Sequence, residues 1–167
     1  MQARLNFYEN TIAADISEHI HAASRVISGS TLAHSTQELV RIRASQINGS
    51  SVCTDIHVKD AAHLGETSVR LNLIATWREA NVFTDAERAA LELTEHGTRI
   101  ADAAGGVPIE VWDNVAKHYD GDQLAALVAQ IALINAFNRI NVITRPPGSD
   151  HVPGQSNQHT RSAYPHP

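Results

Sequence analysis

The chain turns at Asn48-Gly49 and then continues as Ser50-Ser51-Val52-Cys53-Thr54-Asp55-Ile56-His57. This stretch holds the only cysteine of the 167 residues. Cys53 and His57 are four residues apart, so on a helix both side chains lie on one face, where an imidazole can reach a thiol. A thiol with a base one turn away favours a reactive thiolate. The stretch therefore predicts a helix that carries a nucleophilic cysteine.

Apolar residues recur at helical spacing on both sides of this stretch. The spacing predicts helices over residues 8–27, 35–47, 51–64, 66–77, 84–103, 108–118 and 120–144. Thr84 and Glu87 have the spacing of a capping box, and Gly105-Gly106 is expected to close the helix that they open. No useful length of sequence shows the alternation that is typical of a strand, so the predicted fold class is all-α, a multi-helix domain.

The composition of the chain is that of one globular domain. We expect the helical domain to cover residues 1–144, and residues 145–167 to form a tail rich in proline, serine and histidine. The formal net charge is −5, with no dense run of lysine or arginine. This charge argues against nucleic acid as a partner and against an anionic membrane surface.

The expected compartment is the cytoplasm. The first residues lack the apolar core of a secretory signal, and no stretch is expected to approach the roughly 18 apolar residues of a membrane span. A single cysteine cannot form an internal disulfide, which fits a reducing environment.

Glu38 lies twelve residues before Ser50 in the helix predicted for residues 35–47. Three further runs accompany this arrangement: Ala75-Thr76-Trp77-Arg78-Glu79-Ala80, Phe83-Thr84-Asp85-Ala86-Glu87-Arg88-Ala89-Ala90-Leu91 and Ile134-Asn135-Ala136-Phe137-Asn138-Arg139. Together with the stretch around Cys53, these runs resemble the alkylhydroperoxidase D-like proteins of the carboxymuconolactone decarboxylase superfamily. The resemblance extends in register over about residues 39–142.

The resemblance implies an all-helical domain that assembles into a homo-oligomer, a trimer or hexamer, with the active site near a subunit boundary. Redox-active members carry a glutamate, a Cys-x-x-Cys motif and a histidine four residues after its second cysteine. Glu38, Cys53 and His57 match the glutamate, the second cysteine and the histidine, whereas Ser50 stands at the position of the first cysteine. The implied function is that of a thiol-dependent hydroperoxide reductase, a peroxiredoxin-type antioxidant enzyme, with a hydroperoxide as substrate and an external thiol or dithiol as reductant.

The chemistry of such a site assigns a role to each residue. Cys53 attacks the peroxide as a thiolate and becomes a sulfenic acid, His57 acts as its base, and Glu38 orients His57. In the family the first cysteine then closes a disulfide, which Ser50 cannot do. Turnover therefore needs an external thiol that attacks Cys53 directly, and activity is expected to be impaired. No cofactor and no metal ion are expected.

Two other functions remain open at this point. One is a decarboxylase-like lyase that acts on a small carboxylated lactone, since members with that chemistry do not depend on the cysteine pair. The other is a non-enzymatic helical scaffold or redox sensor, in which Cys53 is only oxidised or buried. Asn135, Asn138 and Arg139 lie on an apolar helix, and we interpret them as hydrogen-bonding groups between helices or subunits.

Overall fold

A computed structural model describes residues 3–146 and 150–153 of the protein. Its helices are α1 (Thr11–Ser28), α2 (His34–Asn48), α3 (Ser51–His63), α4 (Ser68–Leu73), α5 (Asp85–Thr98), α6 (Ile109–Val115) and α7 (Gly121–Thr144). Short 3₁₀ turns lie at Phe7–Glu9 and Ile74–Thr76. No strand forms within the described residues, so the all-α prediction is confirmed. Most of the tail predicted for residues 145–167 lies outside the described residues.

Helix α2 occupies the centre of the fold, because it packs against α3, α5 and α7. Val40 joins a core with residues of α5 and α7, and Ile42 joins a second core with Trp77. Ala44 packs against Cys53 of α3 in a third, smaller cluster. Full burial of one aliphatic side chain contributes about 1.5–3 kcal/mol, so packing on several sides fixes α2 firmly. The residues of α2 therefore have defined positions relative to α3.

A buried network of amide side chains joins α2 to α7. The Asn48 amide donates to the side-chain oxygens of Asn135 and Asn138, each at 2.9 Å, and the Asn138 amide donates to the Ser45 hydroxyl at 3.0 Å. These contacts confirm the interpretation of Asn135 and Asn138 as inter-helix groups. Arg139 differs, since its hydrogen bonds return to Asn135 within α7.

The start of α5 was predicted correctly, but its end was not. Thr84 and Glu87 form the predicted capping box, and α5 then ends at Thr98 instead of residue 103. Gly97, a poor helix former, lies where Ile131 of α7 comes within 3.0 Å of the place that a Cβ atom would occupy. The Thr98 hydroxyl accepts a hydrogen bond from Asn135 at 3.1 Å. The last residues of α5 therefore contact α7. The local sequence does not show these contacts, so the end of α5 could not be predicted from it.

Other helix bounds differ because of local caps. The helix predicted over 66–77 is α4 followed by a 3₁₀ turn, and α4 begins where the Thr67 hydroxyl accepts the backbone N–H of Arg70 at 3.2 Å. The first helix begins after Asn10, whose side chain accepts the backbone N–H of Ala13 at 3.1 Å. Such oxygen acceptors satisfy N–H groups that a helix start leaves unpaired.

Helix α7 corrects the expectation that no stretch approaches a membrane span. Within the described residues it is the one helix long and apolar enough to cross a membrane, with a mean hydropathy of 1.4 over 18 residues. It also carries the buried amides Gln130, Asn135, Asn138 and Asn141, and it packs against α1, α2, α3 and α5. The core helix of a helical domain passes the same test of length and composition. The packing of α7 identifies it as such a core helix.

Candidate active site

Backbone geometry places Cys53 in the first turn of a helix. Gly49 ends α2 in the left-handed conformation at φ 67°, which suits glycine, and Ser50 is the N-cap of α3. Cys53 is only 3% exposed and packs against Ala44 and Ile134. The unpaired N–H groups and the dipole at the start of a helix favour negative charge there. The start of α3 therefore gives Cys53 a backbone surrounding of positive partial charge.

Glu38 and His57 form a pair that joins α2 to α3. The Nδ1 atom of His57 lies 2.9 Å from Glu38 Oε2, and Glu38 is 5% exposed. The other oxygen of Glu38 accepts a hydrogen bond from Arg41, which also donates to Gln130 of α7 at 2.8 Å. The expected contact between Glu38 and His57 is thus present, and Arg41 fixes the carboxylate from its other side.

The charge state of Glu38 follows from these partners. Burial by itself raises the pKa of Glu38, but the hydrogen bond and charge of His57, together with Arg41, outweigh it and lower the pKa below its usual value. The carboxylate is therefore ionised at neutral pH. An ionised carboxylate on Nδ1 fixes the orientation of the His57 ring.

Cys53 has a different polar neighbour from the one that its sequence spacing predicts. Within residues 3–146 and 150–153, the sulfur has one hydrogen-bonding contact, from the Asn141 side-chain nitrogen at 3.1 Å. His57 lies one helical turn away and contacts Glu38 instead of the thiol. The predicted direct thiol–imidazole hydrogen bond is therefore not formed in this structure.

Tyr8 also belongs to the surroundings of Cys53. Its hydroxyl donates to Asn141 Oδ1 in a long contact of 3.5 Å. Burial raises the pKa of Tyr8, and the charge of Cys53 raises it further. The Tyr8 hydroxyl thus keeps its proton at neutral pH and lies within electrostatic reach of the sulfur.

Ser50 is 2% exposed, and its hydroxyl is the one buried side-chain oxygen or nitrogen in the described chain without a hydrogen-bond partner. As an N-cap, such a hydroxyl usually accepts a backbone N–H, but here it makes no cap bond. An unpaired buried hydroxyl costs about 1–3 kcal/mol. Ser50 also borders an open hollow of about 500 Å³, which is lined by Ser45, Gln46, Gly49, Ser50, Ser51, Thr54, Asp55 and Val58.

The Glu38–His57 pair and Asp60 could together hold a metal ion. Donor atoms of Glu38, His57 and Asp60 all lie within 4.8 Å of one another. Hydrogen bonds already occupy them, because Glu38 pairs with His57 and Asp60 lies 2.7 Å from His151 Nε2. The absence of a metal remains a prediction.

Sequence reasoning found Glu38, Ser50, Cys53 and His57 but not the contacts of Asn141. The available signal was its position three residues after Asn138, another amide on an apolar helix. A polar group on such a face must find a partner, but the sequence alone could not show that the partner is a sulfur 88 residues away.

Sequence comparisons connect the chain with a known family. The pattern of the carboxymuconolactone decarboxylase family matches residues 18–96. An uncharacterised protein of Bacillus subtilis, YdfG, is 37% identical over 142 residues, which cover 85% of this chain and 94% of YdfG. Another uncharacterised protein, YnjA of Escherichia coli, is 34% identical over 109 residues, which cover 63% of this chain and 56% of YnjA.

Solved structures share the fold. A protein of unknown function from Agrobacterium tumefaciens, a candidate antioxidant defence protein AhpD, superposes with a TM-score of 0.82 at 30% identity, over 90% of this chain and all of that one. The debrominase Bmp8 in complex with 2,3,4-tribromopyrrole superposes with a TM-score of 0.69 at 17% identity, over 82% of this chain and 72% of Bmp8. The second likeness concerns the fold alone.

Proposed function

Because the chain belongs to the carboxymuconolactone decarboxylase family, as an AhpD-like member, we propose that it is a thiol-dependent hydroperoxide reductase. The observation that carries this proposal is the pair of buried Glu38 and partly buried His57, in which Arg41 holds Glu38 and His57 lies one turn from Cys53. A fixed carboxylate–imidazole pair beside a thiol at a helix start supplies a base, an acid and a site for negative charge.

In the proposed reaction the Cys53 thiolate attacks the terminal oxygen of a hydroperoxide. A sulfur–oxygen bond forms, the oxygen–oxygen bond breaks, and the alkoxide leaves with the electron pair. The alkoxide takes a proton from His57, whose ring Glu38 holds in position. The products are an alcohol and a sulfenic acid on Cys53. The peroxide between Cys53 and His57 connects the two side chains, which do not bond directly.

The second half of the proposed cycle depends on thiols from outside the chain. One external thiol attacks the sulfenic acid to give a mixed disulfide and water, and a second releases Cys53 as a thiol and leaves as the oxidised disulfide. The hollow beside Ser50 offers a place for such a thiol. A reductant of this kind is abundant in the cytoplasm, which we propose as the compartment.

Trapping the sulfenic acid on Cys53 tests the proposed function. We expect an alkyl hydroperoxide to add one oxygen to Cys53, with dimedone capturing it as an adduct detectable by mass spectrometry. His57→Ala should slow adduct formation by about 100-fold, because the leaving alkoxide then lacks its acid. His63→Ala is the matched control on the same helix and should react at the rate of the unchanged chain.

The opposite result would favour another family chemistry. If Cys53 stays reduced under excess hydroperoxide while the protein remains folded, the reductase proposal is wrong. A decarboxylase-like lyase or a non-enzymatic scaffold would then be the preferred hypothesis.

We also propose that the protein is a homo-oligomer, a trimer or hexamer. Two isoleucines on one face of α1 are not buried in the single chain, since Ile12 is 72% exposed and Ile16 is 48% exposed. Val142 and Ile143 at the end of α7 are also exposed. Apolar surface of this kind is typical of contacts between subunits. Light scattering at micromolar concentration should give a mass of at least three chains, and a monomer would contradict the proposal.

A further inference from the structure

The side chain of Asn141 reaches the sulfur of Cys53 from α7. The nitrogen–sulfur distance is 3.1 Å, and Asn141 is itself buried at 8% exposure. A thiol sulfur is a weak acceptor, whereas an anionic acceptor makes a hydrogen bond roughly twice as strong as a neutral one. The contact therefore stabilises the thiolate more than the thiol.

Tyr8 contacts the other end of the Asn141 amide. Its hydroxyl donates to the amide oxygen in a long contact of 3.5 Å, while the amide nitrogen faces Cys53. The backbone N–H of Arg4 donates to the carbonyl oxygen of Thr144 at 2.8 Å, which ties the segment before Tyr8 to the end of α7. Tyr8 and Asn141 are thus held together although they lie 133 residues apart.

We propose that Asn141 is a catalytic residue, whose amide N–H holds the reacting sulfur of Cys53 as the thiolate. The contact is made to the reacting atom itself, and His57 makes no such contact. This assignment rests on the proposed reductase function for its place in turnover. The contact between the Asn141 amide nitrogen and the Cys53 sulfur is nevertheless present in the resting protein.

Within the step, Asn141 acts before and after oxygen transfer. Before attack, its N–H lowers the free energy of the anionic sulfur. As the sulfur–oxygen bond forms, the negative charge moves from sulfur to the departing alkoxide, which receives its proton from His57. Asn141 gives up no proton, so it remains neutral and ready to support the regenerated thiolate.

The test measures Cys53 alkylation by iodoacetamide at neutral pH, which needs no peroxide and reports the thiolate. Asn141→Leu keeps the size of the side chain but removes the donor, and we expect alkylation to slow by about tenfold, in line with a hydrogen bond to a charged group. Asn141→Asp replaces the donor with a negative charge and should slow alkylation at least as much. Thr144→Val, also buried and one turn further along α7, should alkylate at the rate of the unchanged chain.

The outcomes separate the two proposals. If folded Asn141→Leu and Asn141→Asp proteins, checked by circular dichroism and thermal melting, both alkylate at the unchanged rate, Asn141 has no role at the sulfur. A hydroperoxide that fails to oxidise the unchanged chain defeats the reductase proposal instead. If the reductase proposal fails in this way but both Asn141 variants are alkylated more slowly, Asn141 still stabilises the Cys53 thiolate.

Discussion

A Ser50→Cys variant is expected to consume hydroperoxide through many fast cycles with a dithiol reductant, whereas the unchanged chain turns over slowly, because each of its cycles needs an external thiol to reach the buried Cys53 directly. A cysteine at position 50 would lie three residues before Cys53, at the start of the same helix. Residues three apart on a helix are neighbours, within the Cα separation that a disulfide spans. The new thiol can therefore capture the sulfenic acid as a disulfide, which a dithiol reduces.

The surroundings of Ser50 favour this substitution. Its hydroxyl is buried and has no hydrogen-bond partner in the described chain, so replacing oxygen with sulfur breaks no contact. Removing an unpaired buried hydroxyl also removes a cost of about 1–3 kcal/mol. We therefore expect Ser50→Cys to fold at least as stably as the unchanged chain.

Peroxide consumption with dithiothreitol measures the difference between the two proteins. Ser51→Cys is the matched control, because an exposed residue two positions before Cys53 does not face it on a helix. This control should turn over as slowly as the unchanged chain. Steady turnover by the unchanged chain, equal to that of Ser50→Cys, would show that resolution does not depend on position 50.

Glu95→Ala is expected to lower the free energy of unfolding by about 3–5 kcal/mol, the cost of breaking a buried ion pair. One oxygen of Glu95 accepts from Arg43 Nε at 2.8 Å, Arg43 Nη2 at 2.5 Å and Trp77 Nε1 at 2.9 Å. The other oxygen pairs with Arg78. Alanine would leave the buried Trp77 N–H and the largely buried Arg43 without this acceptor.

Urea denaturation monitored by circular dichroism measures this loss. Glu92→Ala is the matched control on the same helix, because the Glu92 carboxylate lies 3.9 Å from a half-exposed Arg78. We expect it to cost under about 1 kcal/mol, as surface ion pairs do. If the two variants lose the same free energy of unfolding, the Glu95 contacts contribute no more than a surface ion pair.

The pH dependence of the Glu95 effect follows from its pKa. Burial raises the pKa of Glu95, but hydrogen bonds from Arg78, Trp77 and Arg43 outweigh it and lower the pKa from 4.5 to about 2. The stabilisation is therefore complete above pH 4.5 and is lost as the pH falls towards 2. Across this window, we expect the difference in free energy of unfolding between the unchanged chain and Glu95→Gln to shrink by about 2 kcal/mol. This is less than the full pKa shift implies, because solvent screens Arg78.

Much of the fold was predictable because its signals are local. The capping box of Thr84 and Glu87 is satisfied within three residues, and Gly49 ends α2 through its own backbone conformation. Such contacts depend only on neighbours in the chain, so the sequence shows them directly. The same holds for the spacing of Cys53 and His57 on α3.

Long-range packing decided the rest. Only the tertiary structure shows that Asn141 faces Cys53 across 88 residues, that α5 ends beside Ile131, and that Ile12 and Ile16 of α1 stay exposed. The sequence by itself determined which residues can carry the chemistry, through their types and their spacing on one helix. The packing of α2, α3 and α7 decided which of these side chains contact each other. A hydrogen bond between residues far apart in the sequence forms only when the packed core holds donor and acceptor at the required distance.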